Sequence, residues 1–494
     1  MYFIDPQKHA RRAFLRRASA LSLSTTALPF ALNLAALGEA SAFDATGYKA
    51  LVCVFLYGGN DYANTVMAYD DPSYNAYFGV RGIGPNQIGT SIAIPKASLT
   101  ATLLTPNAAP QVALNTSIPD RQYALHPSMT GMAKLFNTGK AAVQLNVGPL
   151  VAPLTKAQYL SVDRKAYPIP PKLFSHNDQQ SIWQSSSPEG SKIGWGGNLG
   201  DLAMASNATS TFTCMSVTGN AVFLSGDSAL SYQISTTGAV AIKGTKSKVY
   251  NSTPAMTALR TLLSQSRSDM FENEYNRVTA RSMAAEAQVT SALAGANLTT
   301  VFPTGNTLAD QLKVVARLIS ARSSLGTKRQ VFLVSLGGFD LHDNLITSQP
   351  GLLGKVSAAM TAFYDATVEM GVSDMVTAFT ASDFGRTLQS NGDGSDHGWG
   401  SHHFMVGGAV KGKTFYGTAP AVSVGSTSAP DDQWHVGQGR LLPSTSVDQY
   451  AATLAQWFGV AESELSGILP NLKRFGTAAG RPDYPSNMGF MTAT

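Results

Sequence analysis

Cysteine is scarce: the 494-residue chain has two, Cys53 and Cys214. Two thiols can build neither a disulfide scaffold nor a cysteine-ligated zinc centre. Cys53 lies inside an apolar run, residues 51–56, so the pair reads as two buried free thiols, with a single bridge left open. Charge is scarce as well, at 14% of residues against about 25% in an average chain. The formal net charge of +5 looks basic, but five of the 36 Lys/Arg and two of the 31 Asp/Glu fall in the first 42 residues. The remainder is close to neutral, and no arginine-rich run or basic–aromatic interleaving is present. A groove that tracks nucleic-acid phosphates is therefore not expected. Beyond the N-terminal segment no run reaches the ~18 apolar residues of a membrane span. Hydrophobic residues, in contrast, make up 44% of the chain, enough apolar surface to offset the entropy of ordering and to exclude disorder.

The N-terminus reads as an address. Arg11-Arg12-Ala13-Phe14-Leu15-Arg16-Arg17 is followed by a mildly apolar stretch over residues 18–37 and then Ala40-Ser41-Ala42. Basic region, apolar region and small-x-small cleavage site occur in the order of a secretory leader, and the paired arginines resemble the twin-arginine signal. The expectation is a signal peptide over 1–42 and a periplasmic or secreted mature chain over 43–494. That route carries proteins already folded, often with a metal or cofactor inserted.

Along the mature chain, apolar strand-like runs alternate with helical periodicity. Strands are predicted over 50–57, 141–147, 331–336, 375–380 and 404–406, and helices over 126–137, 447–457 and much of 254–294. Within the last, Phe271, Tyr275, Val278, Ala285, Val289 and Leu293 fall on one helical face. Fully apolar strands alternating with helices predict a large, mostly parallel α/β sheet covered by helices on both faces. Residues 211–242 alternate short β-prone runs with Gly, Ser and Asn, which predicts hairpins in a small β-rich insertion. One α/β domain over 43–494 is the expected organisation.

In such sheets ligands bind outside the carboxyl ends of the strands, and here those ends carry acids and histidines. Asp61 follows the first strand, Asp340 and His342 follow the 331–336 strand, Asp383 follows the 375–380 strand, and His397 precedes the 404–406 strand. Mixed carboxylate and imidazole donors suit a divalent cation: Zn, Mn or Fe, or Ca where carboxylates dominate. Taken singly, each Asp also reads as a helix cap and each His as a polar loop residue. Residues 391–396 lack the closing Glu of a calcium loop and read as a Gly-rich turn. Ser175 starts a helix, where it acts either as an N-cap or as a nucleophile facing an anion at the helix N-terminus. No Gly-x-Ser-x-Gly elbow surrounds it, no local base is evident, and capping by Ser175 would turn His176 elsewhere. A nucleophilic Ser175 would then depend on a metal.

As a set, the twin-arginine leader, Gly58-Gly59-Asn60-Asp61, Phe174-Ser175-His176, Gly194-Trp195-Gly196-Gly197, Gly337-Gly338-Phe339-Asp340-x-His342, Asp383-Phe384-Gly385-Arg386-Thr387 and Asp396-His397-Gly398-Trp399-Gly400 resemble the secreted domain-of-unknown-function family 1501. The resemblance runs from the leader to Phe458. It implies the alkaline-phosphatase-like superfamily, which holds phosphatases, sulfatases and phosphoglycerate mutases. By that resemblance Asp61, Asp340, His342, Asp383 and His397 are the metal ligands and Ser175 is the nucleophile. Phe384 stands where the superfamily places a further His ligand, which points to a single-metal or degenerate site as readily as to two zincs. Arg386 would bind the substrate anion bidentately. The implied function is a metal-dependent (Zn, Mn or Ca) ester hydrolase acting on a small anionic phosphate or sulfate ester. The alternative is a non-catalytic periplasmic or cell-surface binding or assembly protein on the same scaffold. A secreted partner protein is a further expectation from the family.

Overall fold

The structure is a computed structural model that describes residues 43–82, 91–110 and 121–493; the expected leader lies outside them. Nine strands form the central sheet: β1 (Lys49–Leu56), β2 (Ala141–Gly148), β3 (Cys214–Ser216), β4 (Tyr232–Gln233), β5 (Arg329–Leu336), β6 (Val376–Ser382), β7 (Ser401–Val406), β8 (Phe415–Tyr416) and β9 (Thr445–Ser446). Their order is β8-β2-β7-β6-β1-β5-β3-β4, with β9 also on β2. Only β7 runs antiparallel, to both β2 and β6; every other pairing in the sheet is parallel. The fold is thus the mixed, mostly parallel α/β sheet that the apolar strands predict. Two small antiparallel pairs sit beside it, Val66–Ala68 with Tyr123–Leu125 and Arg386–Ser390 with Ser395–His397.

Strand alternation explains the layers. On β1, Val52, Val54 and Leu56 enter one core and Leu51, Cys53 and Phe55 the other. The first core is roofed by α2 (Thr130–Asn137), α7 (Thr307–Ser320) and α8 (Leu345–Glu369), and the second by α3 (His176–Ser185), α4 (Trp195–Ala203) and α9 (Val447–Phe458). The remaining long helices are α1 (Asp71–Arg81), α5 (Thr253–Ser264) and α6 (Met270–Ala294). Both cysteines are free and buried.

Residues 211–242 depart from expectation. Rather than hairpins, β3 and β4 pair parallel with one another, and β3 pairs parallel with β5, extending the central sheet at its edge. Alternation fixes which side chains point in, but not whether the partner strand is next in sequence or a hundred residues away. The helix predicted from 126 begins at Thr130, because a turn over residues 126–129, closed by Met129 N–H to the His126 carbonyl, precedes it.

Candidate metal centre

Four chain segments meet beyond the C-terminal ends of β1, β5 and β6. Close approach of backbone sets the floor. Gly58, at φ +115°, has no room for a side chain: a Cβ there would stand 2.3 Å from the Asp340 nitrogen. The loop after β5 is therefore clamped against the loop after β1, which fixes Asp340 at the sheet edge.

Asp340 is the hub. Its Oδ1 accepts from Arg386 at 2.6 Å and lies 3.1 Å from His342 Nε2 and 3.2 Å from His397 Nε2; its Oδ2 lies 3.3 Å from His176 Nε2. Burial raises the Asp340 pKa, but the Arg386 hydrogen bond and charge, helped by His176 and His342, outweigh it and hold the carboxyl below its ordinary value.

The imidazoles are turned by partners on their far sides. His397 Nδ1 faces the Phe174 carbonyl at 2.7 Å, and His176 Nδ1 faces Asp383 Oδ2 at 2.6 Å. A carbonyl or carboxylate can only accept, so each Nδ1 donates and each ring turns its Nε2 inward, where its lone pair is the metal donor when the ring is neutral. His342 Nδ1 is 3.3 Å from Asp396 Oδ1 in the same sense. The Asp383 hydrogen bond raises the His176 pKa; burial lowers that of His397.

The inward atoms are crowded. His176 Nε2 is 3.1 Å from His397 Nε2, which is 2.9 Å from His342 Nε2. Two lone pairs at that distance repel, so a proton or a cation must lie among these atoms. Among the described residues His176, Asp340 and His397 are a group whose donor atoms all lie within 4.8 Å of one another. The two Nε2 atoms are 3.1 Å apart, and the Asp340 carboxylate presents Oδ1 to His397 at 3.2 Å and Oδ2 to His176 at 3.3 Å, close to the roughly 3.3 Å between ligands about 2.0 Å from one tetrahedral ion. The donor set fits a divalent cation, and the outward Nδ1 partners are the supports metal-ligating histidines usually have.

The residues singled out in the sequence take different places. Asp340, His342 and His397 touch. Asp383 is fully buried; its Oδ2 takes the His176 ring, Gln180 Nε2 at 2.8 Å and the Gly58 N–H at 3.2 Å, while its Oδ1 has no hydrogen-bond partner. It orients His176 instead of joining the three-residue group. Asp61 caps its own turn through Asn64 N–H and pairs with Arg81 at 2.7 Å, with Ser395 Oγ donating at 2.8 Å. Its carboxylate is taken up in holding the loops together. Arg386 is fully buried, donating to Asp340, to the Gly58 carbonyl and to the Ser395 carbonyl. It braces Asp340 from beneath. Phe384, in the place of the superfamily's His, packs its ring 4.8 Å from that of His176 and 4.7 Å from that of His397.

His176 is the residue that sequence reasoning turned away. Ser175 stands at the N-cap of α3 but makes no capping hydrogen bond; its Oγ donates instead to Asp178 Oδ2 at 2.9 Å. The preceding Phe174 is left-handed, with φ 72°, an uncommon conformation for a bulky residue and one that concentrates at functional sites. The turn aims the Phe174 carbonyl at His397 and sends the His176 ring back over Asp383. Asp178, buried and three residues beyond Ser175, is the acceptor for the hydroxyl that the sequence alone did not reveal.

A mostly parallel α/β sheet with polar residues converging at its carboxyl edge defines the general class. The chain belongs to a family of proteins of unknown function, DUF1501, matched over residues 48–462. No curated protein matched it. Similar solved structures are Ps i-CgsB in complex with k-i-k-neocarrahexaose (10% identity, TM-score 0.34) and Ps i-CgsB alone (11%, 0.33), each covering 89% of this chain and 78% of the other. The lipoteichoic acid synthase LtaP from Listeria monocytogenes is similar at 8% identity and TM-score 0.24, covering 74% and 66%. Likenesses this distant say nothing of the chemistry at the site.

Proposed function

We propose that this protein is an exported metal-dependent hydrolase of a phosphate or sulfate ester, with a divalent cation held by His176, Asp340 and His397. The observation that carries the reading is the convergence of imidazole lone pairs and a carboxylate at ligand-to-ligand spacing, each ring held from behind by an acceptor. A cation there supplies positive charge to the ester oxygens and lowers the pKa of a neighbouring hydroxyl. The protein's own residues do the rest. Ser175 lies between Phe174, whose carbonyl orients His397, and His176. Its Oγ attacks phosphorus or sulfur as its proton passes to Asp178; the bond to the alcohol oxygen breaks, that oxygen takes the proton and leaves as the alcohol, and water then hydrolyses the serine ester, its OH going to the released anion and its other proton back to Ser175. His342 stands half exposed beside Asp340 and His397.

Ser175→Ala separates this reading from a structural one. Turnover of chromogenic phosphate mono- and diesters or sulfate esters should fall about 100-fold or more, while metal content stays near that of the parent. Unchanged turnover would leave bound water as the nucleophile. No cleavage above background with Zn, Mn or Ca would favour the binding or assembly role.

Export rests on Arg11, Arg12, Phe14 and Leu15 with Ala40-Ser41-Ala42 behind them. Among the described residues no helix is long and apolar enough to cross a membrane. Arg11→Lys together with Arg12→Lys should strand the chain in the cytoplasm with its leader uncut, as read by fractionation and the mass of the N-terminal peptide. Normal processing of that variant would refute the twin-arginine assignment.

A further inference from the structure

One apolar face of α6 is only half covered. Phe271, Tyr275, Val278, Ala285, Val289 and Leu293 recur at helical spacing along it. In the C-terminal half Ala285, Val289 and Leu293 are buried in the first core. In the N-terminal half the same stripe is bare: Phe271 is 79% exposed, Tyr275 66% and Val278 47%. The helix overhangs the body of the protein, backed there by α5, whose Leu262 and Gln265 carbonyls hold Asn276. Met270 and Leu262 add to the bare surface at 72% and 51% exposed.

We propose that this overhang is a two-fold interface, in which α6 of one copy packs antiparallel on α6 of a second copy of the chain. Charge supports that occupant. Glu274 and Arg281 lie on the same flank of the stripe, acid toward the N-terminus and base toward the C-terminus, and they sit 3.9 Å apart within one chain. Antiparallel helices bring like flanks together in reverse order. A two-fold axis midway between the two residues therefore sets Glu274 of each copy against Arg281 of the other, while Tyr275 meets the neighbourhood of Val278. Interface size supports it too. Two aromatic side chains bury roughly 150–250 Å² each, so Phe271 and Tyr275, with Val278 beside them, supply about half of the roughly 800 Å² per partner of an ordinary stable interface, the flanking charged side chains adding to it. The flanks carry both signs, with Glu272, Glu274, Arg277 and Arg281 all exposed, and the stripe runs along the helix side over two turns. That arrangement suits a protein surface better than an anionic bilayer, which would select a basic face.

Sedimentation velocity on the purified full protein, from about 1 to 100 μM, should show twice the single-chain mass at the upper end. Phe271→Glu with Tyr275→Glu should weaken the dimer at least about 100-fold while leaving the circular dichroism spectrum and Tm unchanged, because both side chains are on the surface. Glu274→Arg alone should weaken association, and adding Arg281→Glu to the same chain should restore it. A parent that stays monomeric throughout overturns the interface. So does a dimer indifferent to the Phe271/Tyr275 change, a double charge reversal that does not restore association, or a monomer that uses these residues to bind phosphatidylglycerol vesicles.

Discussion

Asp340→Asn should empty the metal centre: the purified variant is expected to carry less than a tenth of the parent's metal and to lose ester hydrolysis with it. The amide removes the negative charge that faces three imidazoles and Arg386. It also leaves the Arg386 guanidinium, fully buried, without its carboxylate, so some stability should go too; Asp340 is 45% exposed, and solvent screening holds the loss below that of a wholly buried pair. The two effects can be told apart. His176→Gln keeps Asp340 and Arg386 paired and removes one inward nitrogen, so it should lower metal content with a smaller drop in Tm. Asp383→Asn should fall between, weakening the metal about 10–100-fold through the orientation of His176. Elemental analysis of all three, beside Ser175→Ala, reads the result. Full metal occupancy in both Asp340→Asn and His176→Gln would remove the centre.

Acid should unfold the protein well above the pH at which most carboxylates titrate. His402 and His403 are wholly enclosed, and burial pushes both down to about 3; burial pushes His126 down to about 4. His402 Nδ1 accepts the Asn146 N–H at 3.0 Å, and His403 Nε2 is buried with no partner, so neither ring takes a proton without breaking the packing around it. The folded pKa lies below the ordinary 6.5 in each case. Stability is therefore fully present above pH 6.5 and is lost as the pH falls from there through the folded values, because the unfolded chain binds protons that the fold refuses. Three such groups give roughly 4 kcal/mol per pH unit at the steepest, against a total stability of about 5–15 kcal/mol for a typical protein. Two groups act in the opposite sense. His176 is raised by its Asp383 hydrogen bond, and Asp448, raised to about 6 by burial, is relieved of an ionised cost as the pH drops. They reduce the slope without reversing it. Urea midpoints between pH 7.5 and 4.5 should fall steeply below 6.5, with a shallower fall in His403→Gln. A flat profile over that range would contradict the burial of these rings.

The sheet was legible because its strands are apolar on both faces, and the ends of β1, β5 and β6 were legible because acids and glycines follow them directly. Asp340, His342 and His397 could be proposed as neighbours from strand position alone. His176 could not. Its direction depends on the left-handed Phe174 and on a serine that stands at a helix start without capping it, and neither conformation has a sequence signature in a non-glycine residue. The burial of Arg386 was not legible for a related reason: an arginine in a loop reads as exposed, whereas the hairpin over 386–397 folds it under Asp340. The α6 face had the right periodicity throughout, but periodicity reports which residues share a face and is silent on how far the body beneath it extends.

The position of β1 has a consequence for how the chain is made. Ala50 pairs with Gln330 on one side and Val376 on the other, so the strand synthesised first is the middle of the finished sheet. At about 5–20 residues per second, the ribosome needs roughly seventeen to sixty-seven seconds before the first of those partners, β5 (Arg329–Leu336), is complete. Throughout that interval the most apolar segment of the chain, residues 51–56, has no native edge to join. Loop closure over hundreds of residues makes the pairing slow even after release. Biogenesis is thus the vulnerable period: premature termination anywhere before β5 leaves β1 unpaired, a substrate for chaperones or aggregation and never a smaller working protein.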